Sequence, residues 1–400
     1  MGLVPTLSFE EARACVLATA RASAREPASE MVSLLDSAGR ILASDYKADR
    51  DYPPASKSVR DGFAVRASDL PGELSVIGEV QAGASFEGEI GPAQAIEIMT
   101  GAPVPKGADS VVMVEHVTRD GDRVRADRPI SAGDNITPQA CEARKGDVVL
   151  RKGTRTGYTE MAMLATIGCA GVRVYRRPRV AVIPTGNEVV DITETPAPFQ
   201  VRNSNAYALA VQVRRAGGDP VILPIARDEY AHTRFLIERG LETDLLMLSG
   251  GVSAGKYDLV EKVLADVGAQ FLFDRVRIQP GQPLVFGSVR GKMFFGLPGN
   301  PASTIVCYEL FGRAVTELLG GQQEAPLPIC YARLTEPFRQ KTGLTRFLPA
   351  RLAPEGQCVT PIRWTGSGDV PALARSNAFL VTEPDREAWD SGDLIRVLPR

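Results

Sequence analysis

The sequence predicts a multidomain α/β-plus-β protein, and three observations carry that expectation. A chain of 400 residues is longer than one ordinary hydrophobic core supports. Strand and helix patterns alternate from Arg179 to about Gly320. Short β-rich runs broken by Gly and Pro lie on both sides of that stretch.

Taken in order, Ser8 and Glu11 form a capping box, and Ala12, Cys15, Val16 and Thr19 follow at helical spacing, so the chain opens with a helix. From Asp51 to Ile136, β-rich runs at residues 74–77, 96–99 and 111–114 predict a small β domain. An Ala- and Met-rich helix over residues 156–167 closes at Gly168 on its far side, which makes the β domain an insertion in a helical linker. Apolar strands at 179–183, 220–225 and 244–248 then alternate with two helical stripes. One is Ala206, Leu209, Ala210 and Val213; the other is Leu259, Val260, Val263, Leu264 and Val267. That alternation predicts a three-layer α/β domain with a mainly parallel sheet. Asn300 as cap and Pro301 in the first turn start its last helix. Beyond Pro326, short runs at 332–334, 347–352, 379–382 and 394–398 predict a C-terminal β barrel or sandwich.

Composition narrows the function classes. Forty-six Lys and Arg against 48 Asp and Glu leave a formal charge of -2, so no general attraction for nucleic acid or an anionic membrane is expected, and any anion must be bound locally. The six cysteines are scattered without a C-x-x-C pair, which argues against a zinc site or disulfide framework and for reduced thiols in a cytoplasm. No apolar run reaches the ~18–20 residues of a membrane span. Met1-Gly2 with Thr6 meets the loose myristoylation pattern, but so short a pattern is often matched by chance and Pro5 is an awkward neighbour.

Three Gly-rich, polar loops follow strands of the α/β region: Pro184 to Glu188, Leu248 to Gly255, and Gly296 to Pro301. In open α/β sheets ligands sit at the carboxyl ends of strands, and backbone N–H groups near helix starts bind phosphate or oxyanion without a basic surface. A single such loop also serves simply to turn a strand into a helix; three on one edge are harder to explain that way. Glu188, Asp228 and Asp258 each lie just beyond a strand or its loop, where they could converge on Mg²⁺. Asp258 with Glu261 equally makes a helix capping box, and Asp228 could cap the helix after it, whereas Glu188 has no such alternative. His116 and His232 have no partner spacing that marks a ligand or nucleophile.

Five ordered motifs resemble those of the MoeA/gephyrin E-domain family. Arg60 to Arg66 reads R-D-G-F-A-V-R beside the family's M-D-G-Y-A-V-R, and Met99 to Pro105 repeats M-T-G-A-P-V-P. Pro184 to Glu188 resembles S-T-G-D-E, Gly250 to Asp258 resembles G-G-V-S-x-G-x-x-D, and Gly296 to Pro301 matches G-L-P-G-N-P. The resemblance implies four parts: an elongated helical linker domain (1–50 and 137–177), an inserted β domain (51–136), an α/β molybdopterin-binding domain (178–325) and a C-terminal small β barrel (326–400). It implies a cytoplasmic homodimer whose cleft lies between the α/β domain of one subunit and the β domain of the other. The implied reaction inserts molybdenum from molybdate into adenylylated molybdopterin, with Mg²⁺-dependent cleavage of the AMP group. Implied partners are molybdopterin adenylyltransferase and the molybdoenzymes, with neither nucleic acid nor membrane. Carried over by position, Asp61, Glu188, Asp228 and Asp258 position metal and the attacking oxygen, with Glu188, Asp228 and Asp258 as metal ligands, and Thr100 hydrogen-bonds an oxyanion. Pterin phosphate and AMP would be held by Thr185, Gly186, Ser249, Gly250, Gly251, Ser253, Gly255, Pro298, Gly299, Asn300, Pro301 and Ser303.

Several positions depart from the family pattern. Gln279-Pro280-Gly281-Gln282-Pro283 stands where K-P-G-K-P is usual, removing two positive charges, and Asn187 replaces an Asp. Residues 135–142 align with N-I-R-x-x-G-E-D but lack its Arg. Lys57 and Arg60, before Asp61, stand where the family commonly has Asn and Met, so either the basic charge has moved there or both are solvated loop residues. The alternatives are a paralogue that inserts tungstate, a non-catalytic dimeric scaffold of the gephyrin type, and a nucleotidyltransferase or nucleotide hydrolase. The D-G-F-A-V and M-T-G-A-P-V-P motifs argue against the last.

Overall fold

The computed structural model describes residues 6–23, 25–251 and 259–400. Met1, Gly2, Pro5, Ser253, Gly255 and Asp258, named above, lie outside the described residues. The chain divides into two compact units, one of Met1–Met31, Gly39–Ala43 and Arg173–Arg400, the other of Val32–Ala38 and Ser44–Val172.

The first unit is built on a six-stranded sheet in the order Asp219–Ile222, Arg179–Pro184, Leu245–Ser249, Lys292–Leu297, Val285–Val289, Gln270–Phe273. The first three pairings are parallel and the last two antiparallel, so only Val285–Val289 runs against the rest and the sheet is mainly parallel as expected. Side chains alternate across it. Val180, Val182, Leu245 and Met247 face a core shared with helix Asn205–Arg215 and the helices after Pro301. Ala181, Ile183, Leu246 and Leu248 face a second core under helices Tyr230–Gly240 and Leu259–Asp266. Both faces are apolar because helices cover both.

The opening helix, Phe9–Ser23, is capped as its residues imply: the Ser8 N–H donates to Glu11 Oε2 at 2.8 Å, and the Glu11 N–H donates to Ser8 Oγ at 3.2 Å. Its buried stripe is Phe9, Ala12, Val16 and Ala20, and it joins the first core of the α/β sheet, with the Phe9 ring against Phe311 and Phe347. The region read as a helical linker is otherwise short strands, such as Tyr46–Lys47 paired with Val148–Leu150, and one helix, Tyr158–Thr166. An apolar stripe states that a helix is covered, not what covers it, which is why the stripe alone does not place the first helix.

The C-terminal region is a closed barrel. Strands Thr345–Leu352, Cys358–Pro361, Cys330–Leu334, Leu394–Pro399 and Ala378–Val381 pair in turn, and the last pairs back onto the first. Closure removes the edges a sandwich would leave. A short strand, Ile278–Gln279, leaves the α/β region to add onto this barrel in parallel, with Ile278 opposite Thr345 and Gln279 opposite Arg346.

The second unit holds the β domain, a six-stranded sheet in the order Ser110–Met113, Gly62–Val65, Gln94–Ile98, Gly72–Val80, Arg123–Ala126, Val117–Asp120. Phe63, Val65, Leu74, Ala95 and Val112 pack on one face, and Ala64, Ile96, Ile98 and Val111 on the other. Among the described residues no helix is long and apolar enough to cross a membrane.

Candidate functional site

The three glycine-rich loops meet at the carboxyl edge of the parallel strands, and hydrogen bonds tie them together. The Thr185 N–H donates to the Ser249 carbonyl at 3.0 Å, and the Gly250 N–H to the Leu297 carbonyl at 3.0 Å. Gly250 has φ +100°, and a Cβ there would meet the Thr185 carbonyl oxygen at 2.7 Å, so the first two loops approach as closely as backbone permits. The third loop is held by Thr304, whose N–H donates to the Asn300 carbonyl at 3.0 Å and whose hydroxyl donates to the Pro298 carbonyl.

Asn205 connects two loops, and neither periodicity nor motif singles it out. Its Nδ2 donates to Ser249 Oγ at 2.9 Å and to the Gly299 carbonyl at 2.8 Å. Since a carbonyl only accepts, the amide nitrogen must face the loops. Asn205 Oδ1 is left buried without a protein partner. As the first residue of an amphipathic helix it reads as an ordinary start; the polar pair Ser204-Asn205 ahead of Ala206 is its only sign in the sequence.

Glu188 and Asp228 stand on this edge, both exposed. The Glu188 carboxylate folds back over Gly186, where a Cβ would lie 2.4 Å from Oε2, and Gly186 has φ +125°. The positive φ favours glycine there, and a larger residue would also have to displace the Glu188 carboxylate. Asn187 Oδ1 accepts the Asp228 N–H at 3.1 Å and so joins the two carboxylate-bearing segments. Asp228 is not the helix cap that its position allows: helix Tyr230–Gly240 has Glu229 at that position and no side-chain cap. His232 Nδ1 accepts from the Arg227 N–H at 3.4 Å, in keeping with a local structural role. Among the described residues no group of three or more His, Cys, Asp and Glu is gathered as a metal cage, and Asp258 lies outside them.

Asn300 precedes helix Pro301–Cys307 as expected, but its side chain does not cap it. It lines a cavity of about 290 Å³ instead, together with Pro298 and Ser303, the loop Gln279 to Pro283, Trp364 and Ser367. This cavity has no charged lining residue.

In the second unit, Asp61 and Thr100 form a tight pair. The Thr100 N–H and hydroxyl both donate to Asp61 Oδ1, at 2.7 and 2.9 Å. These two bonds, the backbone one first, hold the Asp61 carboxyl below the usual carboxylate range. Thr100, read from the sequence as a donor to an oxyanion, here donates its hydroxyl hydrogen bond to Asp61. Lys57 is also engaged, with Nζ 3.6 Å from Glu142 Oε1, so its charge is shared within its own unit.

Known proteins match this chain along most of its length. Residues 7–168 match the MoeA N-terminal region (domain I and II), 181–317 the probable molybdopterin binding domain, and 331–399 the MoeA C-terminal region (domain IV). A molybdopterin molybdenumtransferase of Bacillus subtilis is 37% identical over 387 residues, covering 92% of this chain and 89% of its own. One from Staphylococcus aureus is 33% identical over 377 residues, covering 92% and 90%. The crystal structure of a molybdopterin biosynthesis MoeA protein from Pyrococcus horikoshii superposes with a TM-score of 0.84 at 28% identity, over 99% of this chain and 100% of that one.

Proposed function

This chain belongs to the MoeA family, an enzyme of molybdenum insertion in cofactor biosynthesis, and we propose from that premise that the insertion takes place at the glycine-rich sheet edge with Mg²⁺. The observation that carries the reading is the edge itself, where three loops are tied through Thr185, Ser249, Gly250, Leu297 and Asn205 into one surface with two exposed carboxylates. Such a surface suits a phosphorylated ligand through backbone N–H groups other than those of Thr185 and Gly250, which tie the loops together, while the carboxylates stay available for a cation.

The substrate in this reading is adenylylated molybdopterin, and the bond broken is the phosphoanhydride between pterin phosphate and AMP. Glu188 and Asp228 offer oxygen donors alone, and neither is drawn into an ion pair among the described residues, so they are donors of the kind Mg²⁺ takes. Bound there, Mg²⁺ would offset phosphate charge and let molybdate approach carboxylates that otherwise repel it. No histidine is required. In the proposed homodimer the orienting group is the second copy's Asp61, which, kept ionised by Thr100, has Oδ2 available to accept a hydrogen bond from the attacking oxygen. Asn205 positions Ser249 and Gly299, and Ser303 supports the neighbouring cavity wall.

The test is turnover of adenylylated molybdopterin with Mg²⁺ and either molybdate or tungstate, following AMP release and cofactor formation. AMP release with molybdate is expected; none under any metal or oxyanion condition would overturn the reading. Homodimeric assembly belongs to the same proposal and is tested by mixing Asp61→Ala with Glu188→Ala. Partial recovery of activity would indicate sites that draw on two chains, and exchange of subunits without recovery would contradict them.

A further inference from the structure

A second cavity, of about 490 Å³, lies on the C-terminal barrel and shares Gln279 and Trp364 with the neutral cavity beside the Gly296 to Pro301 loop. Its lining includes Arg339, Lys341 and Arg346 but no carboxylate. Among the described residues none of these three cations forms an ion pair, whereas Arg119, Arg123 and Arg386 each pair with a carboxylate on the surface of the same chain. Arg346 is the most constrained of the three. It sits directly opposite Gln279 in the strand pairing, and its Nη1 is buried with no hydrogen-bond acceptor. Burial pulls its pKa below the ordinary value, and no carboxylate offsets that loss of water. A guanidinium nitrogen left unsatisfied in this way is costly unless something else accepts from it.

We propose that Arg339, Lys341 and Arg346 form an oxyanion site on the barrel, which takes a tetrahedral dianion, either free or as the phosphate of a larger ligand. Three cations with no carboxylate among them match a doubly charged ligand better than a singly charged one. The planar fork of Arg346 suits two oxygens of a tetrahedral group, while Arg339 and Lys341, both exposed, supply charge at the mouth. The arrangement also answers where positive charge resides in a chain with glutamines at 279 and 282. It is one strand away from Gln279, on the barrel, rather than at Lys57, which Glu142 engages. Because the two cavities adjoin, a ligand with a charged end and an uncharged polar body would place the first among the cations and the second beside Gln279 and Trp364; that orientation, unlike the oxyanion site, rests on the proposed function.

The full chain offers its own reporter. It has two tryptophans; Trp389 is 2% exposed, whereas Trp364 is only partly buried and lines both cavities. Inorganic phosphate, molybdate and AMP should each be titrated at low ionic strength by calorimetry and by Trp364 fluorescence, with Trp364→Phe as the optical control. Arg346→Met keeps the side-chain stem and should weaken binding about tenfold, and Arg346→Lys should weaken it less. Arg339→Ala with Lys341→Ala should weaken it severalfold and flatten the salt dependence; these exposed positions keep the test valid if Arg346→Met folds poorly. Similar losses for phosphate and molybdate would identify a free dianion as ligand, and a loss confined to AMP would identify a nucleotide phosphate; both support the site. Unchanged affinity for all three probes in folded variants would overturn it. Since the readout is binding, failure of turnover with intact, variant-sensitive binding would count against the proposed reaction and not against this site.

Discussion

Asp61 and the pair Glu188 and Asp228 are carboxylates of the same chemistry kept in opposite states of readiness. Asp61 accepts two hydrogen bonds on one oxygen, which set its direction and favour its ionised form. Glu188 and Asp228 are exposed, and their side chains have no ion-pair partner among the described residues; what is fixed around them is backbone, through Gly186 and Asn187. On the proposed function, the difference teaches how work is divided between similar groups. A group that must orient a reacting oxygen is preorganised by protein donors. A group that must hold a cation keeps its lone pairs free and leaves orientation to the ion.

The largest effects should come from neutralising these carboxylates. Asp61→Asn and Glu188→Gln are each expected to lower turnover on the order of 100-fold or more with little change in the thermal unfolding midpoint. The two should separate in one respect: Glu188→Gln raises the Mg²⁺ concentration needed for half-maximal rate, and Asp61→Asn does not. Equal shifts in the Mg²⁺ requirement would erase the distinction drawn here.

A smaller effect should follow from Thr100→Val, which removes the hydroxyl donor and leaves the N–H. Asp61 is depressed in the folded protein, so its ionised form persists to lower pH than that of a free Asp. Losing one donor raises its pKa toward the ordinary value, and the acid limb of the kcat/KM profile should move to higher pH, with about a tenfold loss at most near neutrality. An acid limb that stays in place would show that the hydroxyl does not prepare Asp61.

The smallest effect on chemistry, though a measurable one on stability, is expected at Asn205. Asn205→Ala removes two bonds that hold Ser249 and Gly299, and should cost about 1–3 kcal/mol in denaturant unfolding. KM for the nucleotide substrate should rise more than kcat falls, because the loops lose register while the carboxylates remain. A KM that does not change would mean that the sheet edge is rigid without this link.

The sequence by itself determined the parts whose signal is local. Apolar runs located three of the six sheet strands, and helical stripes two of the helices that cover them, because a run such as Val180 to Ile183 or Leu245 to Leu248 is a property of a few consecutive residues. The Ser8–Glu11 cap was legible for the same reason, and motif order identified the loops and the family. Tertiary structure decided what depends on residues distant in the chain. It placed Phe9–Ser23 on the α/β sheet, gave the Thr100 proton to Asp61, freed Asp228 from the cap its position suggested, and brought Asn205 to Ser249 and Gly299. It also set Arg346 opposite Gln279, far apart in the chain, where a composition of nearly balanced charge gave no hint of a concentrated positive site. The physical reason is that a hydrogen bond or an unpaired charge is defined by its partner, and a partner across the fold leaves no periodicity in the chain to read.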